Sequence, residues 1–197
     1  ASDVYKRQFR LSARYAFTDN FSVKAGFNSM RQYIHKLSNT VIMSPTDTWK
    51  LSDVNIKPQR GWQAAAGLYL NSPSGIWEYS VEGYYKRMSD YLDYRGGAKL
   101  LMNHHIETDV INTEGHAYGV ELQVKKQVGK LNGWMSYTYS RTFLRQNDKR
   151  IEKPVNNGDW YPTEYDKPHD FKFVGNYKFT HRYSMSINVD YSTGRPT

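Results

Sequence analysis

The sequence predicts an all-β protein in which about eight antiparallel strands form part of the wall of a transmembrane β-barrel. Three observations predict this fold class. Apolar side chains recur with a period of two, short and long connections alternate, and aromatic residues gather toward the strand ends. The chain has no run of the roughly 18 apolar residues that a membrane-spanning helix needs.

The C-terminal part of the chain shows the alternation most clearly. Its apolar positions are Tyr183, Met185, Ile187, Val189 and Tyr191, and its polar positions are Ser184, Ser186, Asn188 and Asp190. Because successive side chains of a strand point to opposite faces, this strand has one apolar and one polar face. Equivalent patterns predict strands near residues 8–18, 21–33, 60–71, 76–90, 116–127, 133–145, 169–180 and 182–193.

The connections between these strands alternate in length. Short turns rich in Asp, Asn, Ser, Pro and Gly join the strands within each of four hairpins. The long connections are residues 34–59, 91–115 and 146–168. All tight turns therefore lie at one end and all long loops at the other, as in outer-membrane barrels with short periplasmic turns and long external loops.

Alternation alone shows only that one face is apolar. A soluble β-barrel or sandwich would bury that face, whereas a membrane barrel turns it to lipid. Strands near ten residues in length, the asymmetry of the loops, and aromatic residues such as Trp77, Trp134 and Phe179 beside the short turns favour the membrane barrel. The alternative is a soluble β-barrel carrier of an apolar ligand.

Composition narrows the possible functions. The chain has 197 residues and no cysteine, so disulfides and thiolate metal sites are excluded. The net charge is +8, but the basic residues are scattered among 19 acids, and we expect no binding of nucleic acid. Residues 1–8 resemble a translated sequencing adapter, so we expect them to be a non-native leader before a partial outer-membrane β-barrel over residues 9–197.

One external loop carries the predicted ligand-binding residues, Asn157, Asp159, Trp160 and Tyr161. Aromatic faces stack on sugars or hydrophobic ligands, and the neighbouring Asn and Asp supply hydrogen bonds. Loop packing or anchoring at the membrane interface is the alternative role for these residues. Trp49, Tyr91 and Tyr94 lie in other long connections and have the same two interpretations.

Catalytic and metal-binding patterns are not found. His104, His105 and His116 lack the spacing of a metal site, and residues 166–170, although rich in titratable groups, are interpreted as a structural junction between a loop and a strand. The sequence has no nucleophile elbow and no phosphate-binding glycine loop. We therefore expect a protein that is not an enzyme and has no catalytic residues, metal or cofactor.

Several segments in order carry a family resemblance. They include Ser80-Val81-Glu82-Gly83-Tyr84-Tyr85-Lys86, Ala117-Tyr118-Gly119-Val120-Glu121 and Tyr165-Asp166-Lys167-Pro168-His169-Asp170. On these segments the chain resembles the C-terminal barrel half of TonB-dependent outer-membrane receptors of the Bacteroidota type. The resemblance implies a 22-stranded barrel that encloses a plug domain, of which eight strands are about a third of the wall.

The resemblance also implies a function and partners. Such receptors import scarce nutrients, namely iron-siderophores, cobalamin, glycans or peptides, with energy supplied through TonB. It implies the outer membrane of a Gram-negative cell as the location. The expected partners are outer-membrane lipid, the plug domain and remaining barrel of the parent protein, the TonB complex, and a surface lipoprotein.

Overall fold

The computed structural model describes residues 8–37, 48–52, 57–94, 110–146 and 154–194. Its strands are β1 (Phe9–Thr18), β2 (Phe21–Gln32), β3 (Ile34–Leu37), β4 (Thr48–Leu51), β5 (Gln59–Asn71), β6 (Trp77–Tyr94), β7 (Val110–Lys126), β8 (Leu131–Gln146), β9 (Tyr161–Pro162), β10 (His169–Lys178) and β11 (Ser184–Ser192). A short 3-10 turn covers Val155–Gly158. No helix among these residues is long and apolar enough to cross a membrane.

The strands form an antiparallel meander. The main sheet has the order β1-β2-β5-β6-β7-β8-β10-β11, with β9 added beside β8, and β3 pairs with β4 in a separate sheet of two strands. Within the described residues the main sheet is open, since β1 pairs only with β2 and β11 only with β10. The predicted all-β class and the predicted antiparallel hairpins are confirmed.

The observed strands differ from the predicted ones within the long connections. The hairpin of β3 and β4 lies in the long connection 34–59, where no strand is predicted because two runs of four residues are too short for alternation to be recognised. Strands β6 and β7 extend to Tyr94 and from Val110, beyond the predicted limits of 90 and 116. A register shift between Met88 and Tyr91, with Asp90 at φ 57°, interrupts the period of two there and hides the continuation.

The register gives the main sheet two distinct faces. On the first face, Val81 pairs with Leu122, Leu122 with Tyr137, and Tyr137 with Phe171. We call it the apolar face, and the opposite one the polar face. The apolar face continues to β11, where Met185, Ile187, Val189 and Tyr191 stand opposite Tyr177, Gly175, Phe173 and Phe171. The face assignment predicted for the last strand therefore agrees with the register.

Trp134 lies on the other side of the sheet from the predicted aromatic belt. It pairs with Lys125 and Val174, so it shares the polar face, whereas Met135 beside it belongs to the apolar face. Trp77 does lie on the apolar face, opposite Lys126. The aromatic belt near the short turns thus contains Trp77 but not Trp134.

Two of the short turns use the same threonine device. The hydroxyl oxygen of Thr18 accepts hydrogen bonds from the backbone N–H groups of Asn20 (3.3 Å) and Phe21 (3.0 Å). The hydroxyl oxygen of Thr180 accepts them from Arg182 (3.2 Å) and Tyr183 (3.1 Å). Because each turn fixes where the next strand begins, these contacts help to set the register of the two hairpins.

Candidate functional site

The end of the sheet that bears the long connections is the candidate site. Here β6, β7 and β8 run past the apolar band and bring Met88 and Leu144 together as buried side chains on the polar-face side, while Ile111 is buried further along the same face of β7. Gly115 makes room for them, because a Cβ there would lie 2.9 Å from atoms of both Met88 and Leu144. Thr113, which is 1% exposed, donates its hydroxyl hydrogen to the carbonyl oxygen of Tyr91 at 2.9 Å. This small core orders the strand ends that support the loops.

A buried carboxylate and a backbone hydrogen bond fasten the segment 154–168 to the edge of β8. Asp166 is 2% exposed and accepts hydrogen bonds from Nε of Arg141 at 2.9 Å and from the backbone N–H of Thr142 at 2.8 Å. The backbone N–H of Thr163 donates to the carbonyl oxygen of Thr142 at 3.1 Å. The segment therefore takes the place beside β8 that β10 occupies lower in the sheet, as expected of a structural junction.

The four predicted ligand-binding residues lie in or beside one tight turn, but their side chains diverge. Asn157 adopts a left-handed conformation with φ 53°, and both Asn157 and Asp159 are exposed. The side-chain amide of Asn156 donates to the carbonyl oxygen of Trp160 at 3.1 Å, which closes the turn. The turn therefore presents one amide and one carboxylate to solvent.

The two aromatic residues of this turn take separate positions. The ring of Trp160 meets the ring of His116 edge-on at 4.3 Å between centroids, and the guanidinium of Arg145 lies 4.8 Å from its centre. Tyr161 is half-buried and pairs with Leu144, whose side chain belongs to the polar-face side. Trp160 thus packs against the wall, as loop packing would require. Tyr161 lies on the polar-face side instead.

The remaining candidates from the sequence are scattered. Tyr91 lies near the same segment, with its hydroxyl 3.3 Å from that of Tyr165. The side chains of Trp49 and Tyr94, and the whole of His104 and His105, lie outside the described residues. His116 packs among aromatic rings, and the described part of the chain contains no group of three or more residues that could hold a metal ion.

The polar face is a surface of exposed charge. Lys125 and Glu78 lie 3.5 Å apart, and Lys172 and Asp170 lie 3.4 Å apart. Glu82 stands directly opposite Glu121 and accepts a hydrogen bond from the hydroxyl of Tyr69 at 2.8 Å. Two opposed carboxylates and half-exposed ion pairs require water or polar partners, since dry burial of such groups is costly. This face is suited to a hydrated lumen.

Sequence reasoning missed a set of arginines on the apolar face. Arg31, Arg60, Arg87 and Arg141 each stand in phase with the apolar residues of their strand, at the end that carries the long connections. A signal was present in the sequence, because each of these arginines occupies a position where the alternation requires an apolar residue. Their proximity, however, appears only when the register between strands is known.

The comparisons with known proteins identify one family. A family model described as TonB dependent receptor-like, beta-barrel, matches residues 3–196. Comparison with curated proteins and with solved structures finds no match. The family match covers nearly the whole chain and agrees with the open, two-faced meander.

Proposed function

Because the chain belongs to the TonB-dependent receptor-like β-barrel family, we propose that it forms barrel wall and external loops of a transporter that captures and imports a scarce nutrient. Siderophores, cobalamin, glycans and peptides are the substrate classes in question. Family membership implies the outer membrane of a Gram-negative bacterium, and transport rather than catalysis. A plug domain, the TonB complex and a surface lipoprotein are the proposed partners.

The observation that carries this proposal is the separation of the two faces across the whole main sheet. The apolar face, which carries no charge from Trp77 to Tyr85 of β6, suits lipid. The opposite face, with Glu82, Glu121 and Lys125, suits a wet lumen. A soluble carrier would turn the same apolar face inward around its ligand, and the family match favours the membrane wall instead.

The orientation of the wall can be tested in the full-length parent protein reconstituted into lipid vesicles. A polarity-sensitive dye attached at position 187 should be quenched by a lipid-soluble quencher, and a dye at position 188 should not be. Quenching at 188 with protection at 187 would reverse the wall and support the carrier instead.

Transport can be tested in cells that lack the parent gene. The cells are grown with each of the four nutrient classes in turn as the limiting nutrient. For one class, growth should require both the restored parent gene and TonB. Growth that is equal with and without the gene for all four classes would contradict the proposed import.

Within this function, we propose that the turn at 155–161 contacts the ligand through Asn157, Asp159 and Tyr161. The exposed amide and carboxylate supply hydrogen-bonding groups, and Tyr161 supplies an aromatic ring on the polar-face side. Contact of the ligand with Trp160 stays a prediction, and its packing on His116 and Arg145 indicates that it also fixes the turn.

The ligand site can be tested with Asn157→Ala and Asp159→Ala combined in the parent protein. Uptake should then require a nutrient concentration roughly tenfold higher, as expected from the loss of a hydrogen bond to a charged group. Asp19→Ala removes an exposed carboxylate at the opposite end of the sheet and serves as the matched control. An unchanged concentration dependence in the double variant would remove this turn from the ligand site.

A further inference from the structure

Five arginines form a row across the apolar face, at the border where its apolar side chains end. Arg31 of β2 pairs directly with Arg60 of β5. Arg87 of β6 pairs with Trp62 and His116, and Arg141 of β8 pairs with Tyr118. Arg145 of β8 lies two residues beyond Phe143, on the same face of the strand. We call these five residues the arginine row.

The distance of the row from the short turns matches the height of a lipid-facing band. In β6 the apolar-face residues from Trp77 to Tyr85 precede Arg87 without a charge. That run spans roughly 26 Å at about 3.3 Å per residue, or roughly 20 Å across a bilayer for a strand tilted by about 40°. Since this is close to the height of a barrel's lipid-facing band, Arg87 and its neighbours would stand at its outer border.

The row is confined to the end with the long connections. At the short-turn end, the strands of the described sheet place one cation, Lys126, on the apolar face, 5.8 Å from the centre of the Trp77 ring. General anchoring at both interfaces would distribute cations more evenly. The asymmetry instead indicates a specific demand for positive charge on the external side.

Carboxylates neutralise the row only in part. Arg60 lies 3.5 Å from Asp90, Arg141 lies 2.9 Å from Asp166, and Glu114 serves both Arg145 at 2.8 Å and Arg87 at 3.9 Å. Five arginines thus face three carboxylates within the described residues. Arg31, which stands opposite Arg60, takes part in none of the ion pairs among the described residues. Like charges in a directly opposed pair destabilise a sheet, so an anion bound between the two arginines would reduce their repulsion.

The most accessible members of the row have donors to spare. The side chains of Arg60 and Arg87 are 57% and 53% exposed, and their ion-pair distances are long. A guanidinium carries five N–H donors in a planar fork that fits two oxygens of a phosphate. These groups stand directly beside Trp62, Tyr85 and Phe27, whose rings cover the adjoining apolar surface. A fitting ligand is therefore both anionic and amphiphilic.

We infer that the arginine row binds the headgroup phosphates of an anionic, acylated lipid in the external leaflet, with Arg31 and Arg60 as its principal contacts. The acyl chains would lie along the apolar face below the row. This inference rests on the proposed membrane function, because it requires the apolar face to meet lipid.

The test uses the full-length parent protein in non-ionic detergent, titrated with lipid A and with lipid A from which the phosphates have been removed. The wild type should bind the phosphorylated form more tightly, and its affinity should fall as salt is raised. Arg31→Gln combined with Arg60→Gln should weaken binding of the phosphorylated form by about tenfold or more and leave the phosphate-free form unchanged. Lys24→Gln combined with Lys86→Gln removes the same charge from the polar face and should change neither affinity.

The possible results separate the sources of phosphate and the two proposals. Equal affinity for both lipids, or an equal loss in the control, would overturn the lipid site. Displacement of lipid A by millimolar inorganic phosphate would also overturn it, since the row would then be a general phosphate site. Arg31→Gln alone, which breaks no ion pair among the described residues, replaces the double variant if that does not fold. Dye quenching at position 187 reports separately on membrane insertion. If a dye at position 187 is not quenched, the proposed function is contradicted. If it is quenched but lipid binding does not depend on phosphate, only the lipid site is contradicted.

Discussion

The carboxylate of Asp166 is held by Arg141 at 2.9 Å while remaining only 2% exposed. The same carboxylate accepts the backbone N–H of Thr142, 24 residues earlier in the chain, at 2.8 Å. A charge buried so fully is stable only with its partners, because its removal from water must be balanced by hydrogen bonds and an opposite charge. Asp166 therefore helps to hold the segment 154–168 on the wall, beside the backbone pairing of β9 with β8.

Asp166→Asn should release this segment without unfolding the barrel. The amide keeps the shape of the side chain but loses the negative charge, so the segment should lose about 3 kcal/mol of local stability. Amide hydrogen exchange of residues 154–168 in the parent protein should accelerate by roughly 100-fold. Asp159→Asn, which alters an exposed carboxylate of the same segment, should leave exchange unchanged. Equal exchange in the two variants would show that Asp166 does not hold the segment.

Much of the wall could be predicted from the sequence, because a strand that meets different environments on its two sides must alternate. Alternation in residues 183–191 identifies the apolar set of β11 before any pairing is known. The short turns add the pairing, since two strands joined by so few residues must lie side by side. Alternation and short turns together are enough to predict the antiparallel meander.

The external end could not be predicted in the same way, because its contacts join distant parts of the chain. Arg141 meets Asp166 only once β8 and the returning segment lie together, and Arg31 meets Arg60 only in one register of β2 and β5. The bulge near Asp90 also breaks the alternation on which the strand prediction depended. Trp160 points to the wall because Arg145 and His116 lie there, which single-sequence patterns do not show.

Gly133→Ala should disrupt the pairing of β8 with β10. Gly133 has φ +154°, and a Cβ there would lie 2.0 Å from the carbonyl oxygen of Val174. The backbone must shift to accept a methyl group, so the variant should lose about 1–3 kcal/mol in the free energy of unfolding of the parent protein. Reversible urea unfolding from detergent or liposomes measures the loss.

Gly83→Ala is the matched control for this substitution. Gly83 is also a strand glycine on the apolar face, but a Cβ there would meet only the carbonyl oxygen of Gly119 at 3.8 Å. The added methyl group should change the free energy of unfolding by less than about 0.5 kcal/mol. If both alanine variants unfold alike, the close approach at Gly133 does not constrain the sheet.

Thr180→Val should weaken the turn between β10 and β11. The hydroxyl oxygen accepts the backbone N–H groups of Arg182 and Tyr183, and valine keeps the branched shape without an acceptor. Because the turn is exposed and water can replace the lost bonds, the cost should be about 1 kcal/mol in the same unfolding measurement. Thr180→Ser retains the acceptor and should remain within about 0.5 kcal/mol of the wild type. A serine variant as unstable as the valine variant would exclude the hydroxyl as the cause.

The register of β11 predicts opposite responses to lysine at two adjacent positions. Ile187 pairs with Gly175 on the apolar face, and Asn188 pairs with Val174 on the polar face. Tyr183 and Tyr191 lie on either side of Ile187 in the sequence, so Ile187 should lie near the middle of the bilayer. Lipid cannot solvate an ammonium group there, whereas a hydrated lumen can accept one beside Asn188.

In the full-length parent protein, Ile187→Lys should therefore cost roughly 2–4 kcal/mol in the free energy of unfolding, the range for a cation at the midplane of a barrel. Asn188→Lys should cost much less, and serves as the control because it adds the same side chain one residue away. Reversible unfolding from liposomes compares the two variants directly. A shift of the register by one residue would exchange the two faces, so a larger cost at 188 than at 187 would mean that the polar face, and not the apolar face, meets the lipid.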